Sequence, residues 1–313
     1  MSDGRLTTIL ADFPQELVAQ ILSDGATIST QFTLNLCLVA RWTRVLALPY
    51  LYSGAVLKTL SQSTKFYNTF QLPIPLRSYP YSLHPVDQLR GLWMTPASSR
   101  VVDIFRLSEN IRNLALSTEN MQWLIHSSVN TPLEPRSIPS QRFSGNHNFH
   151  LLIFNELHQH MRWTFAPGML MPETDASPFF RKVTHIHLSQ YLPRENHRLN
   201  LEHWTNLTHI AIPVRPFEIK NSRIFEQDIG HNPTLTHIVF IVYTDLLSKE
   251  DQAQVLRVIE HYGAEVDEEK SVEYVLQERW QLQRNWEMEQ RGGPSIWDRA
   301  IPASTIRESM SNI

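Results

Sequence analysis

The chain has 313 residues, of which 42% are hydrophobic and 19% are charged, and its formal net charge is −3. This composition predicts a globular protein with a sizeable core, and the length fits a small module joined to one elongated domain. The small net charge gives no argument for binding nucleic acid or an anionic membrane. Cys37 is the only cysteine, so an internal disulfide is excluded and a reducing compartment is expected.

The start of the chain lacks the basic region and the apolar core of a signal peptide. No run approaches the roughly 20 apolar residues that a membrane span needs. We therefore expect a soluble cytoplasmic or nuclear protein, without a membrane or nucleic-acid partner.

The residues from 9 to 52 have the pattern of a compact helical module. Asp12 and Pro14 provide a helix start. The apolar residues that follow share one helical face, namely Leu17, Val18, Ile21 and Leu22. Gly25 is expected to stop this helix. A second apolar series with steps of three and four predicts two short helices that end at Pro49.

A four-residue phrase recurs further along the chain, and it indicates a repeated strand. Its copies are Val183-Thr184-His185-Ile186, Leu207-Thr208-His209-Ile210 and Leu235-Thr236-His237-Ile238. Each copy continues with period-two alternation, which is typical of a half-buried strand. A strand that repeats every 20 to 30 residues is typical of a leucine-rich type of solenoid, whose repeats stack because none can bury its apolar face alone.

Similar alternation elsewhere predicts more strands. Residues 54–60 are a candidate first strand, followed by strands that begin near Leu89, Ile111, Phe149, Val183, Leu207 and Leu235. We expect the last six to lie parallel in one curved sheet, in chain order and with right-handed connections. The residues expected to be buried between the repeats are Ile186, Leu188, Ile210, Ile212, Ile238 and Phe240. Residues 127–148 lose the period and are expected to form a long irregular loop.

The C-terminal part is predicted to hold a helix, a strand and a polar tail. Ser248 and Asp251 resemble a capping box, and Gly263 is the expected helix end. Residues 272–276 are the expected terminal strand. The tryptophans of the charged segment that follows, Trp280 and Trp286, are expected to fold back and close the second open end of the solenoid.

Four segments of the N-terminal module together resemble an F-box. They are Phe13-Pro14-Gln15-Glu16-Leu17, Ile21-Leu22, Leu36-Cys37-Leu38-Val39-Ala40-Arg41-Trp42 and Leu51-Tyr52. Phe13 replaces the usual Leu, and Val39 and Trp42 stand one residue closer than in the family pattern. The whole layout is similar to predicted fungal F-box/repeat proteins without assigned activity. The resemblance implies docking onto the small adaptor subunit of a cullin–RING ubiquitin ligase, through Pro14, Leu17, Ile21, Leu22, Leu36, Val39 and Trp42.

The expected fold is therefore an α/β repeat solenoid. A short all-α F-box-like module occupies residues 9–52, irregular leucine-rich-repeat-like strands and helices occupy residues 53–301, and a tail occupies residues 302–313. The expected function is that of a substrate-recognition adaptor whose repeats bind an unknown protein substrate. The alternative is a non-catalytic interaction scaffold in which the N-terminal helices only cap the solenoid.

Catalysis and metal binding are not expected from this sequence. His147, His150, His158 and His160 lie close together, but no cysteine or carboxylate joins them at a recognised ligand spacing. The three Thr-His copies place their imidazoles at one repeat position, where a structural ladder is expected. No nucleophile elbow, phosphate loop or dinucleotide fingerprint is present, so we expect no enzyme activity, no catalytic residue and no cofactor.

Overall fold

A computed structural model gives the architecture of the chain. It describes residues 14–71, 85–128, 148–154, 178–189, 201, 204–214, 229, 232–266 and 269–310. The expectations for Asp12, Phe13 and most of the loop at 127–148 lie outside these residues.

Three helices form the N-terminal module: α1 (Gln15–Ile28), α2 (Thr30–Val39) and α3 (Arg41–Ser53). The carbonyl of Pro14 accepts from the amides of Leu17 and Val18, at 3.0 and 3.2 Å. The Ser29 hydroxyl caps α2 by accepting from the Phe32 amide at 3.3 Å. A small core of Ala26, Leu36 and Ala47, with Leu22, Cys37 and Tyr50 around it, joins the three helices. The prediction of two helices after the first is confirmed.

Two expected helix ends in this module are wrong. Gly25 lies inside α1, where the Phe32 ring of α2 packs so closely that a Cβ on Gly25 would clash with it. The glycine therefore permits a close helix contact. Pro49 lies inside α3 and removes one backbone donor, but Ala47 and Tyr50 on either side of it pack into the module core and hold the helix together.

In the described part of the chain, nine strands form one open sheet in chain order. They are β1 (Gly54–Leu57), β2 (Gly91–Met94), β3 (Asn113–Ser117), β4 (Phe149–Phe154), β5 (Val183–Leu188), β6 (His209–Pro213), β7 (His237–Tyr243), β8 (Ser271–Gln277) and β9 (Ile301–Pro302). Every neighbouring pair from β1 to β8 is parallel. This confirms the parallel pairing and the strand order expected from the repeats. Contrary to expectation β8 is not the last strand, because β9 pairs with it antiparallel.

Helices cover one face of this sheet and bury the main core. They are α4 (Leu60–Gln71), α6 (Arg100–Leu107), α7 (Thr118–Ser128) and α8 (Lys249–Glu265). The short α5 (Pro85–Gln88), just before β2, lies against α3 instead. Val101, Leu124 and Ile259 of the covering helices share one apolar cluster with the inward residues of the strands. The six residues predicted to be buried between the Thr-His repeats are each at most 4% exposed, which confirms their placement.

The last long helix of that face begins as predicted and ends later than predicted. The Ser248 hydroxyl accepts from the Asp251 amide at 3.2 Å, and the Asp251 carboxylate accepts from the Ser248 amide at 3.1 Å. Gly263 is not the helix end, because α8 continues to Glu265. Ala303 lies 4.0 Å from the position of a Cβ on Gly263, so the last turn is packed and remains helical.

The opposite face of the sheet is crossed by residues 279–300, which we call the strap. It contains α9 (Leu282–Gln290). Trp286 packs edge-on against Trp93 of β2, at 5.6 Å between ring centroids. The charged segment therefore folds back as expected, but the expectation that its tryptophans close the second open end is wrong. That end is closed by β9 and α10 (Ile306–Met310), whose Ile306 and Met310 join the main core.

No helix in the described ranges is long and apolar enough to cross a membrane.

Truncation of an inward strand residue should destabilise the sheet over several repeats. Ile210 is fully buried, so Ile210→Ala is expected to cost about 2–5 kcal/mol of unfolding free energy through lost burial and a residual cavity. Thermal and denaturant unfolding followed by circular dichroism measures this cost. The matched control is Leu246→Ala, at a position 54% exposed, which should change stability little. An unchanged unfolding midpoint for Ile210→Ala would contradict the shared core.

Candidate functional site

Exposed apolar side chains are concentrated on the N-terminal module. Eight of the fifteen exposed large hydrophobic residues in the described part of the chain lie between positions 17 and 42. They are Leu17, Ile21, Ile28, Phe32, Leu34, Leu38, Val39 and Trp42. Single exposed apolar residues are ordinary on a protein surface, and a concentration of them is a common feature of interaction surfaces. We call these eight residues the exposed apolar set.

The seven residues expected to contact an adaptor fall into two groups. Pro14, Leu17, Ile21, Val39 and Trp42 are exposed. The other two face inward: Leu36 is only 6% exposed in the module core and Leu22 is partly buried beside it. The buried pair therefore supports the helices that present the exposed residues.

The sequence motif missed part of the exposed apolar set. Ile28 lies on the same helical face as Leu17 and Ile21, and Leu34 and Leu38 lie one turn apart on α2. Leu38 is 81% exposed. The sequence did contain a signal for the exposure of Leu38. Apolar residues lie around most of the circumference of α2, whereas a helix in a small module needs only one apolar face for burial.

A second cluster of polar side chains lies beneath the strap. Parallel register puts His150, His185, His209 and His237 side by side on four neighbouring strands. Their rings stack, with centroid separations of 4.0, 4.0 and 4.2 Å. The Trp297 ring of the strap meets His185 and His209 edge-on, at 5.1 and 5.3 Å. We call the four histidines the histidine ladder.

The threonine before each repeat histidine holds its ring in place. The Thr208 and Thr236 hydroxyls each lie 3.2 Å from the carbonyl oxygen of the threonine one repeat earlier. Each hydroxyl also lies 2.8 to 2.9 Å from Nδ1 of the histidine that follows. Each hydroxyl has one proton, which goes either to the carbonyl or to Nδ1, so the tautomer of the ring selects between the two arrangements. The Thr-His phrase therefore recurs because its hydrogen bonds pass from strand to strand.

Burial lowers the pKa of three histidines beneath the strap, His185, His187 and His209. Burial first, and then the neighbouring imidazoles, lowers the pKa of His185 to about 2 and the pKa of His209 to about 4. His187, one row further along β5, has its pKa lowered to about 3 by burial and by the nearby Arg299. Stacked rings direct their lone pairs in parallel, not toward one point, and no group of three or more His, Cys, Asp or Glu in the described ranges could hold a metal ion.

A small cavity lies between the strap and the sheet. Its volume is about 30 Å³, enough for a water molecule. It is lined by Asn113, Leu114, His150, Leu151, Leu152, His185, His187, Trp286, Glu289, Ile296 and Trp297. Burial raises the pKa of Glu289 to about 7, with Asp298 adding to the shift and Arg299 opposing it. The strap thus inserts a carboxyl group that is partly protonated at neutral pH.

Comparison of the chain with protein-family models, with curated proteins and with solved structures finds no match.

Replacing the buried carboxyl group should stabilise the protein at high pH only. Because the pKa of Glu289 in the folded protein lies above its ordinary value of 4.5, the folded state binds more protons than the unfolded state between these two values. The stability that this proton uptake contributes is full below pH 4.5 and is lost as the pH rises to 7. Glu289→Gln removes the ionisation, so its unfolding free energy should exceed that of the wild type by about 2–3 kcal/mol at pH 8.

The excess should disappear near pH 4.5, and denaturant unfolding at both pH values measures it. The matched control is Glu109→Gln in an exposed turn, which should differ from the wild type by less than about 0.5 kcal/mol at either pH. Equal effects of Glu289→Gln at both pH values would contradict the burial of an ionisable carboxyl group at this position.

Proposed function

We propose that the protein is a substrate-recognition adaptor that resembles the F-box subunits of cullin–RING ubiquitin ligases. One observation carries the proposal. Of the residues that the F-box resemblance assigns to adaptor binding, five are exposed, and they lie in the part of the chain where exposed apolar side chains concentrate. The N-terminal helices dock onto the adaptor subunit, and the repeats present a protein substrate. The protein acts by binding and not by catalysis.

The proposal includes a finer description of the fold and of the location. The repeats form an irregular leucine-rich-repeat-like solenoid, in which parallel strands in chain order and helices on one face are the supporting features. A cytoplasmic or nuclear location is part of the same proposal, with the single Cys37 as its support.

Apolar docking of helices into a groove supplies the binding energy. A few anchors carry most of the energy in such interfaces, and tryptophan is enriched among them. Trp42 is 54% exposed at the start of α3, and Val39 at the end of α2 is also exposed. Leu17 and Ile21 provide a second apolar stripe on α1. We therefore expect Trp42 and the α1 stripe to be the principal anchors.

The test is capture of the purified adaptor subunit by the full-length protein. Trp42→Ala should weaken capture at least about tenfold, since loss of an anchor costs at least about 2 kcal/mol. The matched control is Trp280→Ala, because Trp280 is 63% exposed but lies on the strap. Pro14→Ala combined with Leu17→Ala should weaken capture in the same way, because Pro14 fixes the entry into α1. Circular dichroism shows whether each variant is folded.

Three outcomes separate the proposal from its alternative. Loss of capture by the folded Trp42 variant, with capture retained by the Trp280 variant, supports docking. Absence of capture by the wild-type protein leaves the interaction scaffold as the better description. Loss of capture only in variants that also unfold, as expected for Leu36→Ala in the module core, assigns the helices a structural role as a cap.

A further inference from the structure

The N-terminal module joins the sheet at a glycine. Helix α3 ends at Ser53 and β1 begins at Gly54, so no linker separates the two parts of the chain. Glycine has the widest choice of backbone angles, and residues at the ends of elements are the ones that absorb domain motions. We call Gly54 the junction.

The module and the sheet have separate apolar cores in the described part of the chain. The module core is built on Ala26, Leu36 and Ala47, and none of its residues belongs to the main core of the sheet. Two parts of a chain without a large shared apolar interface are expected to move relative to one another. The short α5 lies against α3, and the strap is a further element that contacts both parts. Such contacts decide how firmly the module is held.

Gln290 of the strap packs directly on the junction. Its Cβ lies 3.1 Å from the position that a Cβ on Gly54 would take, and its carboxamide fills the space that a Cβ on Gly91 would need. Its Oε1 accepts from Nδ2 of Asn113 at 2.8 Å. Strand glycines cost stability and often mark the close approach of another chain segment. Gln290 therefore ties α9 to the first three strands at the point where the module ends.

Arg291, the next residue, contacts the module. Its guanidinium donates to the hydroxyl of Thr30, the first residue of α2. The same guanidinium lies 3.8 Å from the carboxylate of Glu287, one turn earlier on α9, so it is held between the strap and the module. Gln290 and Arg291, which we call the clasp, thus contact the two sides of the junction through adjacent residues.

The end of α9 fixes the position of the clasp. The amides of Gly292 and Gly293 donate to the carbonyls of Glu289 and Met288, at 3.0 and 2.9 Å, which is the Schellman pattern of a helix end. Gly292 has a φ of 91°, the left-handed conformation that this pattern requires. The last turn of α9 therefore has a defined geometry, and the backbone of the clasp shares it.

An apolar anchor one turn away holds α9 on the sheet. Trp286 lies four residues before Gln290, so both side chains project from the same side of α9. Trp286 packs with Trp93, Leu152 and Phe154 on the sheet face beneath the strap, which we call the strap face. The sheet thus supports the clasp through a tryptophan that is only 5% exposed.

We propose that the clasp sets the orientation of the N-terminal module relative to the sheet. Gln290 holds the strap on Gly54, Arg291 holds the module, and together they remove the freedom of the junction. This inference deepens the proposed function, on which it rests for the roles of the two parts: the exposed apolar set and the repeats that present a substrate are held at one angle. Both clasp residues are positioning residues, because neither belongs to the exposed apolar set.

Distances between spin labels measure this orientation in the full-length protein. In a Cys37→Ser background, labels at Gln20→Cys on α1 and Glu250→Cys on α8 report the position of the module against the sheet, since both sites are exposed. Pulsed electron paramagnetic resonance should give one narrow distance distribution. Gln290→Ala combined with Arg291→Ala removes both clasp contacts, so the narrow distribution should be lost and a broader one should replace it.

A second substitution tests the same contact from the side of the sheet. Gly91→Ala leaves the strap unchanged, but its added Cβ displaces the Gln290 carboxamide. The module–sheet distribution should therefore broaden in this variant as well. If the double variant does not fold by circular dichroism, Arg291→Ala alone takes its place, because it removes only the contact with the module.

Two controls separate positioning from general stability. Arg284→Ala removes an exposed arginine from the same helix and should leave the module–sheet distribution unchanged. A label pair on two helices that cover the sheet, at Arg106→Cys on α6 and Glu250→Cys on α8, should keep its distribution when the clasp is removed.

An unchanged module–sheet distribution in the clasp variant or in Gly91→Ala overturns the proposal. Equal broadening for both label pairs also overturns it, because the clasp would then support the whole sheet and not the orientation of the module. The measurement contains no adaptor, so its failure is distinguishable from a failure of adaptor capture and hence of the proposed function.

Discussion

Parallel pairing of the strands in chain order is the constraint on which the rest of the structure depends. The described helices that join the main core lie on one face of this sheet. In-register pairing also brings equivalent positions of successive repeats together on the other face. A residue that recurs in the sequence, such as the histidine of the Thr-His phrase, therefore becomes a stack in space. Both the core and the strap face follow from this one arrangement.

Local pattern predicted the strands because burial of one face requires period-two alternation at every repeat. The local pattern failed where packing between helices overrides it. Gly25 and Pro49 were predicted to end helices. Phe32 packs on Gly25, however, and the module core keeps α3 helical on both sides of Pro49. The strap could not be predicted either. Gln290 and Asn113 form a hydrogen bond although 177 residues separate them in sequence. The spacing of residues within a charged segment does not predict which distant residues that segment covers.

The candidate site was predictable to a similar extent. The F-box resemblance selected Leu17, Ile21 and Trp42, and all three are exposed. It cannot distinguish the inward Leu36 from the outward Leu38, because both belong to one apolar run and only the neighbouring helices decide which faces the core. The direction of the histidine rings was open as well, since the alternation fixes a shared face but does not say what covers it.

The strap also connects the two parts of the molecule. The Arg291 side chain donates to the Thr30 hydroxyl at the start of α2, while Gln290 next to it rests on β1 and β2. The same turn of chain thus contacts both the N-terminal module and the first two strands of the sheet. Burial is the first cause of the lowered pKa of His185 and of the raised pKa of Glu289. Packing of the strap on the sheet, and not ion pairing, therefore governs the polar layer beneath it.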